Sequence, residues 1–337
     1  MTHRLTTRRE FAALSLATAT ALGMKGAFAQ DSTPASPTGE WSFTDLEGTT
    51  ITLPQAPTRI AANIVTAAAL WDLGIKVTAV YDWTSSNYPD GDHIAWGNIN
   101  PDEVIIIGNI GGNLEPEELA AAEIEVLFAQ TFELGDPEST NGIPVDMYDT
   151  INTIAPVLIV TDMEAADVNV ERIVALADSL GADLDAPEVV AMREAYEAKL
   201  EEFQQVTAEK SDILTLFINA SASELYVAGP KDVSDLKFLG SLGLQFANID
   251  APAATEYWET LSAEQALLYP ADVLYMDVYS TLKTADDLMA EPAFAAMPAA
   301  QAGQVGTWQR DYPASYEGVT GFLEEILIPL RDAEKVI

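Results

Sequence analysis

The segment that decides the organisation of the chain is Asp185-Ala-Pro-Glu-Val-Val-Ala-Met-Arg-Glu-Ala-Tyr-Glu-Ala-Lys-Leu-Glu-Glu-Phe203. Asp185 and Glu188 have the spacing of a capping box and Pro187 stands near the first turn, so a helix is predicted to begin here. Its apolar residues recur at helical spacing, which predicts one face buried as far as about residue 208: Val189, Met192, Tyr196, Leu200 and Phe203. Such a helix is about 35 Å long, roughly the diameter of a domain.

Short β-rich segments alternate with helical segments on both sides of this helix. Before it, a hairpin is predicted at 41–54, strands at 59–65, 77–81, 124–129 and 157–160, and helices at 67–73, 114–122 and 147–154. After it, strands are predicted at 213–218, 244–247, 273–276 and 304–307, and helices at 232–242, 263–268 and 316–330. Strands and helices that alternate over short links predict parallel sheets covered by helices.

The sequence therefore predicts an α/β fold of two similar lobes with mainly parallel sheets, joined by one long rigid helix. The predicted boundaries are 41–184 for the N-terminal lobe, 185–209 for the helix and 210–337 for the C-terminal lobe. A surface helix belonging to one lobe is the alternative, because periodicity alone does not show what the apolar face packs against.

The N-terminus has the parts of an export signal. Arg8 and Arg9 precede an apolar stretch from Phe11 to about Leu22, and Ala27-Phe-Ala29 resembles a cleavage site, so residues 1–29 are predicted to be a twin-arginine (Tat) signal peptide. Residues 30–40, rich in Pro, Ser and Thr, are predicted to be a linker. With no cysteine in the chain, we expect a soluble periplasmic or extracytoplasmic protein that is not a Cys-anchored lipoprotein.

The chain is strongly acidic, with 16 Lys and Arg against 53 Asp and Glu and a net charge of −37. The predicted signal carries four basic residues and one acid, so the net charge of the remainder is −40. Binding to phosphates requires clustered cations, and nucleic-acid functions are therefore excluded. A solvated acidic coat explains the charge better than a patch that steers an acidic substrate, because the acids are spread along the chain.

The sequence offers little support for catalysis. Beyond the predicted signal it has a single histidine, His93, and it contains neither a Gly-x-Ser-x-Gly elbow nor a phosphate-binding loop. One imidazole cannot build a multi-histidine metal site. So many carboxylates guarantee chance pairs, and no acid/base pair can be singled out. No catalytic residue and no metal ligand is predicted.

Aromatic residues fall where predicted strands end, which is where parallel α/β sheets bind ligands. The candidate ligand-binding residues are Tyr81, Trp83, Trp96, Phe132, Tyr257, Trp258, Tyr279, Trp308, Arg310 and Tyr312. Arg310 lies between two of these rings, where its guanidinium can fork onto an acidic ligand group, stack on a ring or form a structural salt bridge. The alternative for the aromatic residues is that they cover the edge of the core.

Several stretches carry a family resemblance in order along the chain: Ile51-Thr-Leu-Pro54 with Arg59-Ile60, Trp71-Asp-Leu-Gly-Ile75, Gly108-Asn-Ile-Gly-Gly-Asn-Leu-Glu115 with 124–128, 148–156, and Trp258-x-x-Leu-Ser-x-Glu264 with 271–275. Across nearly all of residues 41–335 the chain resembles the periplasmic binding proteins for ferric siderophores and cobalamin, which feed ABC importers. The resemblance implies a bilobal carrier rather than an enzyme.

The resemblance also implies roles for particular residues and a ligand class. One glutamate of each lobe docks to arginines of the membrane permease in the family, and Glu115 and Glu264 match those positions; the alternative is that both are ordinary acids at helix starts. The chain lacks the histidines of the family's direct metal and haem binders. We therefore expect a monomer that carries an intact ferric siderophore and binds no cofactor directly. Cobalamin is the alternative ligand, and a carboxylate-dependent extracytoplasmic hydrolase is a distant alternative.

Overall fold

In the computed structural model, residues 39–337 are described, and they form two α/β lobes. The predicted Tat signal peptide at 1–29 lies outside the described residues, as does the predicted linker up to residue 38. Within residues 39–337, none of the helices is long and apolar enough to cross a membrane.

The N-terminal lobe contains a hairpin and a five-stranded sheet. The hairpin is β1 (Trp41–Thr44) paired antiparallel with β2 (Thr50–Leu53), and the sheet consists of β3 (Ile60–Asn63), β4 (Ala79–Tyr81), β5 (Ile105–Ile106), β6 (Val126–Gln130) and β7 (Val157–Thr161). The sheet is parallel throughout, in the order β5-β4-β3-β6-β7. Every residue of β3 and β7 is buried because both faces of the sheet are covered.

Five helices accompany these strands: α1 (Ile64–Asp72), α2 (Trp83–Asn87), α3 (Pro116–Ala121), α4 (Tyr148–Ile154) and α5 (Ala166–Ser179). Helix α1 begins directly after β3 because the Asn63 side chain caps it, accepting a hydrogen bond from the Thr66 amide at 3.3 Å. The predicted strand 59–65 therefore ends two residues early. Helix α5 was not predicted.

The long helix α6 (Pro187–Glu209) leads into the C-terminal lobe. That lobe contains β8 (Thr215–Ala220), β9 (Glu224–Ala228), β10 (Trp258–Ser262), β11 (Val273–Asp277) and β12 (Val305–Trp308), with helices α7 (Ser234–Ser241), α8 (Ala285–Ala290), α9 (Pro298–Gln301) and α10 (Tyr316–Asp332). The order is β10-β9-β8-β11-β12. Strands β8, β11 and β12 are parallel, whereas β9 pairs antiparallel with both of its neighbours.

The structure around this antiparallel edge differs from the predicted elements in three places. Residues 244–247 form no strand, since Phe246 makes only an isolated bridge with Thr215. Strands β9 and β10 were not predicted, because a tight turn at Ser221, whose side chain accepts from the Glu224 amide at 3.1 Å, returns the chain antiparallel. The helix predicted at 263–268 is reduced to a short 3-10 turn at Ala263–Gln265, directly after β10.

Helix α6 packs into the cores of both lobes. Val189 belongs to the core of the N-terminal lobe, while Tyr196 and Phe203 belong to that of the C-terminal lobe. The predicted fold class, two α/β lobes with mainly parallel sheets joined by a long helix, is confirmed. The predicted capping box is wrong, because Ala186 is the N-cap and makes no side-chain hydrogen bond, while Pro187 occupies the first turn.

Two further elements tie the lobes together beside α6. Helix α5 contributes Val170 to the C-terminal core and Ile173 to the N-terminal core. At the start of α10, the Ser315 hydroxyl donates a hydrogen bond to Asp72 of α1 at 2.6 Å. The two lobes therefore meet over several packed elements, and the cleft between them is held in a defined position.

Candidate functional site

A cavity of about 230 Å³ lies between the lobes, at the carboxyl ends of the parallel strands of the N-terminal lobe and of β12 in the C-terminal lobe, beside the start of α7 and the residue before β10. From the N-terminal lobe it is lined by residues that follow β3, β4, β6 and β7: Ile64, Val65, Asp82, Thr84, Gln130, Phe132, Asn141, Thr161, Asp162, Met163, Ala166 and Asn169. From the C-terminal lobe it is lined by Val233, Ser234, Asp235, Tyr257, Arg310, Asp311, Tyr312 and Ala314. This is the position at which open parallel sheets bind ligands.

A second cavity, of about 390 Å³, lies between α5, α6 and the start of α10. Although it is the larger, its lining comes from helix sides, with no strand end among its residues. Convergence of strand ends from both lobes identifies the inter-lobe cavity as the candidate site, because loops after parallel strands can vary without disturbing the sheet.

Arg310 follows β12 and is held by the C-terminal lobe. Its Nε lies 3.2 Å from Oδ2 of Asp277, the last residue of β11, and the two form an ion pair without the geometry of a hydrogen bond. Its Nη1 donates to the Tyr257 hydroxyl at 3.0 Å, and its guanidinium lies 5.4 Å from the Tyr279 ring. Of the possibilities left open by the sequence, the structure contains both the salt bridge and the aromatic contact.

Asp235, on α7, is buried and lines the cavity. It accepts hydrogen bonds from Trp308 Nε1 at 3.0 Å and from the Tyr312 hydroxyl at 2.6 Å. Burial raises the pKa of Asp235 to about 6, although these hydrogen bonds and the charge of Arg310 act to lower it. Asp235 thus fixes Tyr312 in the wall of the site and also holds the buried Trp308, which packs against Arg310.

The raised pKa of Asp235 predicts a pH-dependent stability. The folded state holds a proton that the unfolded chain releases near the ordinary value of 3.8, so the contribution is full below that pH and is lost as the pH rises towards 6. Between pH 4 and pH 7 we expect a loss of roughly 2 kcal/mol from this group. Urea unfolding of the wild type and Asp235→Asn across this range measures it, since the variant cannot titrate there. Parallel pH profiles for the two proteins would contradict the prediction.

Asp82 occupies a strained position between β4 and α2. Its φ of 148° lies in a region that favours glycine. Its carboxylate caps α2 by accepting from the Thr84 amide at 2.8 Å and also accepts from Asn141 Nδ2 at 2.8 Å. Burial raises the pKa of Asp82, and the charge of Asp311 adds to the effect. The strain therefore holds a carboxylate at the cavity wall.

Aromatic side chains from the two lobes meet above the cavity. The rings of Trp83 and Tyr279 are in edge contact, with centroids 5.9 Å apart, and both remain partly exposed, at 43% and 39%. Phe132 is 55% exposed on the cavity wall. The Tyr279 hydroxyl donates to Asp311, which lies 3.9 Å from His93 Nε2 of the opposite lobe. These contacts narrow the entrance.

The structure separates the predicted ligand-binding residues into three groups. Those lining the cavity or its entrance are Trp83, Phe132, Tyr257, Tyr279, Arg310 and Tyr312. Trp258 and Trp308 pack against Arg310, with ring centroids 5.8 Å and 5.7 Å from the guanidinium carbon. Tyr81 and Trp96 are 0% and 1% exposed in the cores of the N-terminal lobe, so the structure gives a ligand no access to them.

Sequence reasoning missed the polar lining of the cavity, which includes Asp82, Asp162, Asp235 and Asp311. One signal was present, because Asp82 and Asp311 each adjoin residues already singled out at a strand end. Asp162 directly follows β7 and carried the same strand-end signal, whereas Asp235 lies in the first turn of α7, where the amphipathic pattern does not distinguish it from any other acid at a helix start.

The two predicted docking glutamates lie on different lobes. Glu115 is the N-cap of α3 and accepts a hydrogen bond from Asn109 Nδ2 at 2.8 Å. Glu264 is exposed in the 3-10 turn after β10, where hydrogen bonds from its own amide and from Ser262 lower the pKa of its carboxyl. Among residues 39–337, no group of three or more His, Asp or Glu side chains could hold a metal ion.

Comparison with known proteins identifies the family. Residues 66–312 match the family described as periplasmic binding protein, and the chain belongs to this family. Its members are binding proteins rather than enzymes, and membership implies a place outside the cytoplasm. The ferric-siderophore receptor protein DesE from Streptomyces coelicolor is similar, with 31% identity and a TM-score of 0.77 over 88% of this chain and 100% of that chain.

Two more distant structures share the fold. The petrobactin-binding protein YclQ from Bacillus subtilis is 14% identical, with a TM-score of 0.63 over 87% of this chain and 99% of that chain. The siderophore-binding protein FhuD from Vibrio cholerae, bound to Fe3+-Desferal, is 16% identical, with a TM-score of 0.57 over 81% of this chain and 98% of that chain. A comparison with curated proteins finds no match.

Proposed function

We propose that this chain is the substrate-binding protein of an ABC importer and captures an intact ferric siderophore between its lobes. The observation that carries the proposal is the cavity lined by both lobes, with Phe132 on its wall and the partly exposed rings of Trp83 and Tyr279 in contact beside it. Rings of this kind suit the organic shell of a bulky chelate. The similarity to DesE, described as a ferric-siderophore receptor protein, supports the ligand class.

The siderophore supplies the iron ligands itself in this proposal. The described residues contain no cluster of metal-binding side chains, whereas an intact chelate needs only contacts to its outer surface. Ligand cavities for drug-sized molecules measure about 300–1,000 Å³. The inter-lobe cavity, at about 230 Å³, is smaller than this range, so we expect the contact between Trp83 and Tyr279 to part when the chelate enters.

Tryptophan fluorescence tests the ligand class. We expect titration with a ferric siderophore to quench the emission, because Trp83 lies at the entrance and a ferric chelate accepts its excitation energy. Trp83→Phe should remove a large part of the quenching, while Trp41→Phe, which alters a buried ring of the β1 strand, should leave it unchanged. Quenching by cyanocobalamin, with none from any ferric siderophore, would replace the proposed ligand.

Export and delivery complete the proposal. The Arg8-Arg9 signal is proposed to send the chain through the Tat machinery, and the lobes are proposed to act as a monomer that presents the ligand to a membrane permease. Glu115 and Glu264, one on each lobe, are the proposed contacts to that permease.

Permease docking predicts an effect on transport without an effect on binding. Changing Glu115 and Glu264 to Ala together should reduce ATP-driven uptake by proteoliposomes that contain the cognate permease, and should do so more than either single change. Exposed charge pairs are worth about 0–1 kcal/mol each, and more where the docked interface excludes water. Asp146→Ala with Glu188→Ala removes two other exposed carboxylates and serves as the control. Undiminished uptake by the Glu115/Glu264 variant would remove both residues from the docking role.

A further inference from the structure

The walls of the inter-lobe cavity carry more negative than positive charge. Four aspartates line it, Asp82, Asp162, Asp235 and Asp311, against the single guanidinium of Arg310 among the same lining residues. The lining is drawn from both lobes, so the excess is a property of the assembled site rather than of one acidic segment. An acidic surface coat does not explain it, because Asp82, Asp162 and Asp235 are buried or largely buried.

Local ion pairs neutralise only part of this charge. The charge of Arg310 is already matched by Asp277, whose side chain is 0% exposed beneath the cavity, at 3.2 Å. Asp162 is matched by Arg172, whose Nη1 lies 2.6 Å from its carboxylate. Three lining carboxylates then remain without a cationic partner of this kind: Asp82, Asp235 and Asp311.

Two neighbours approach Asp311, and neither is a Lys or Arg side chain. The Tyr279 hydroxyl donates a hydrogen bond to its carboxylate, and His93 Nε2 of the opposite lobe lies 3.9 Å from its Oδ2, beyond hydrogen-bond distance. The His93 ring is oriented by its Nδ1, which accepts a hydrogen bond from the Ala95 amide at 3.2 Å. Among residues 39–337, Asp311 therefore has no Lys or Arg in an ion pair with it.

A second observation points to a polar ligand group at the same place. Thr161, at the end of β7, lines the cavity and is only 3% exposed. Its Oγ1 has no hydrogen-bond partner among the described residues. An unpaired buried hydroxyl is unfavourable, so a ligand that provides its partner gains from the contact.

Charge then discriminates between ferric chelates. Three singly charged bidentate groups, such as hydroxamates, balance the ferric ion and leave a neutral core, whereas three doubly charged catecholates leave a strongly anionic one. A partly dehydrated cavity with unmatched carboxylates repels an anionic complex and attracts a cationic group.

We propose that the cavity selects ferric chelates of zero or positive net charge, held by singly charged bidentate groups, and that Asp82 and Asp311 receive a pendant ammonium of the ligand. This rests on the proposed function and specifies the charge class of its ligand. The two carboxylates lie on opposite lobes, so an ammonium between them also links the lobes in the loaded state.

Calorimetric titration with three ferric complexes tests the proposal. The probes are a linear tris-hydroxamate that ends in a free amine, the same compound N-acetylated, and a tris-catecholate. We expect the amine to bind about tenfold more tightly than its acetylated form, as a charge-assisted hydrogen bond in a buried site allows, and the catecholate to bind most weakly. High salt should narrow the difference between the amine and acetylated forms.

Substitutions of Asp82 and Asp311 test whether these two residues produce the preference for the amine. Asp82→Asn keeps an amide oxygen that can cap α2 and leaves the backbone strain at this position as it is in the wild type, and Asp311→Asn keeps an acceptor for Tyr279. Each should reduce the preference for the amine, whereas Asp146→Asn, an exposed change outside the cavity lining, should not. Equal binding of the amine and acetylated forms, or tighter binding of the catecholate, overturns the charge selection while leaving siderophore capture standing. Absence of binding by all three complexes overturns both.

Discussion

Replacing Arg310 by Ala is expected to lower the free energy of unfolding by about 3–5 kcal/mol. The reason lies beneath the cavity, where the Asp277 side chain is 0% exposed and keeps only the hydrogen bonds from Asn219 Nδ2 at 3.1 Å and from the Tyr279 amide at 3.0 Å once the guanidinium is gone. A buried carboxylate without its cation is strongly destabilising. Urea unfolding of the wild type and variant gives the difference.

A paired variant separates the lost charge from the lost packing. Asp277→Asn combined with Arg310→Met removes both charges and retains most of the side-chain volume, so it should recover at least half of the stability lost by Arg310→Ala. Replacement of buried ion pairs by neutral side chains of similar size is often close to neutral. A single Arg310→Ala variant within 1 kcal/mol of the wild type, or a double variant no more stable than it, would contradict this account.

Replacing Phe203 by Ala is expected to lower the free energy of unfolding by about 3–5 kcal/mol. Phe203 is 0% exposed where α6 enters the core of the C-terminal lobe, and truncation leaves a cavity among residues that are themselves fixed by the β-sheet. Glu201→Ala on the exposed face of the same helix is the control, expected within about 0.5 kcal/mol of the wild type. The two variants should be measured under the same unfolding conditions.

The Phe203 result bears on how α6 joins the lobes. If the helix merely covered one surface, the two substitutions would have similar small effects. A large loss at Phe203 alone agrees with a helix that is buried in the C-terminal core at this end and in the N-terminal core at Val189.

The sequence by itself determined the α/β class, the two lobes and the long helix, because these depend on periodicities that local residues carry. Apolar residues at helical spacing made α6 visible, and short apolar runs marked β6, β7 and β11 within one or two residues. The antiparallel strands β9 and β10 were not predicted because strand direction depends on which neighbour a strand pairs with. A tight turn at Ser221 determines this pairing.

The sequence identified only part of the candidate site, because a local pattern does not show how side chains are oriented. The rule that ligands lie beyond strand ends selected Trp83, Tyr257, Tyr279 and Arg310, and the structure places them in or beside the cleft, but the rule does not say which way a side chain points. At the end of β4, Tyr81 points into the core while Asp82, one residue later, lines the cavity.

Only the tertiary structure decided which carboxylates line the inter-lobe cavity. With 53 Asp and Glu in the chain, charge counting spreads the acidity evenly, and although Asp82 and Asp311 adjoin predicted strand ends, no local pattern shows that they share one cavity with Asp235. Folding brings these three, from β4, α7 and the segment after β12, to one inter-lobe cavity and pairs others with Arg172 and Arg310. Electrostatic interactions depend on distance and burial in space, and residue spacing along a chain carries neither.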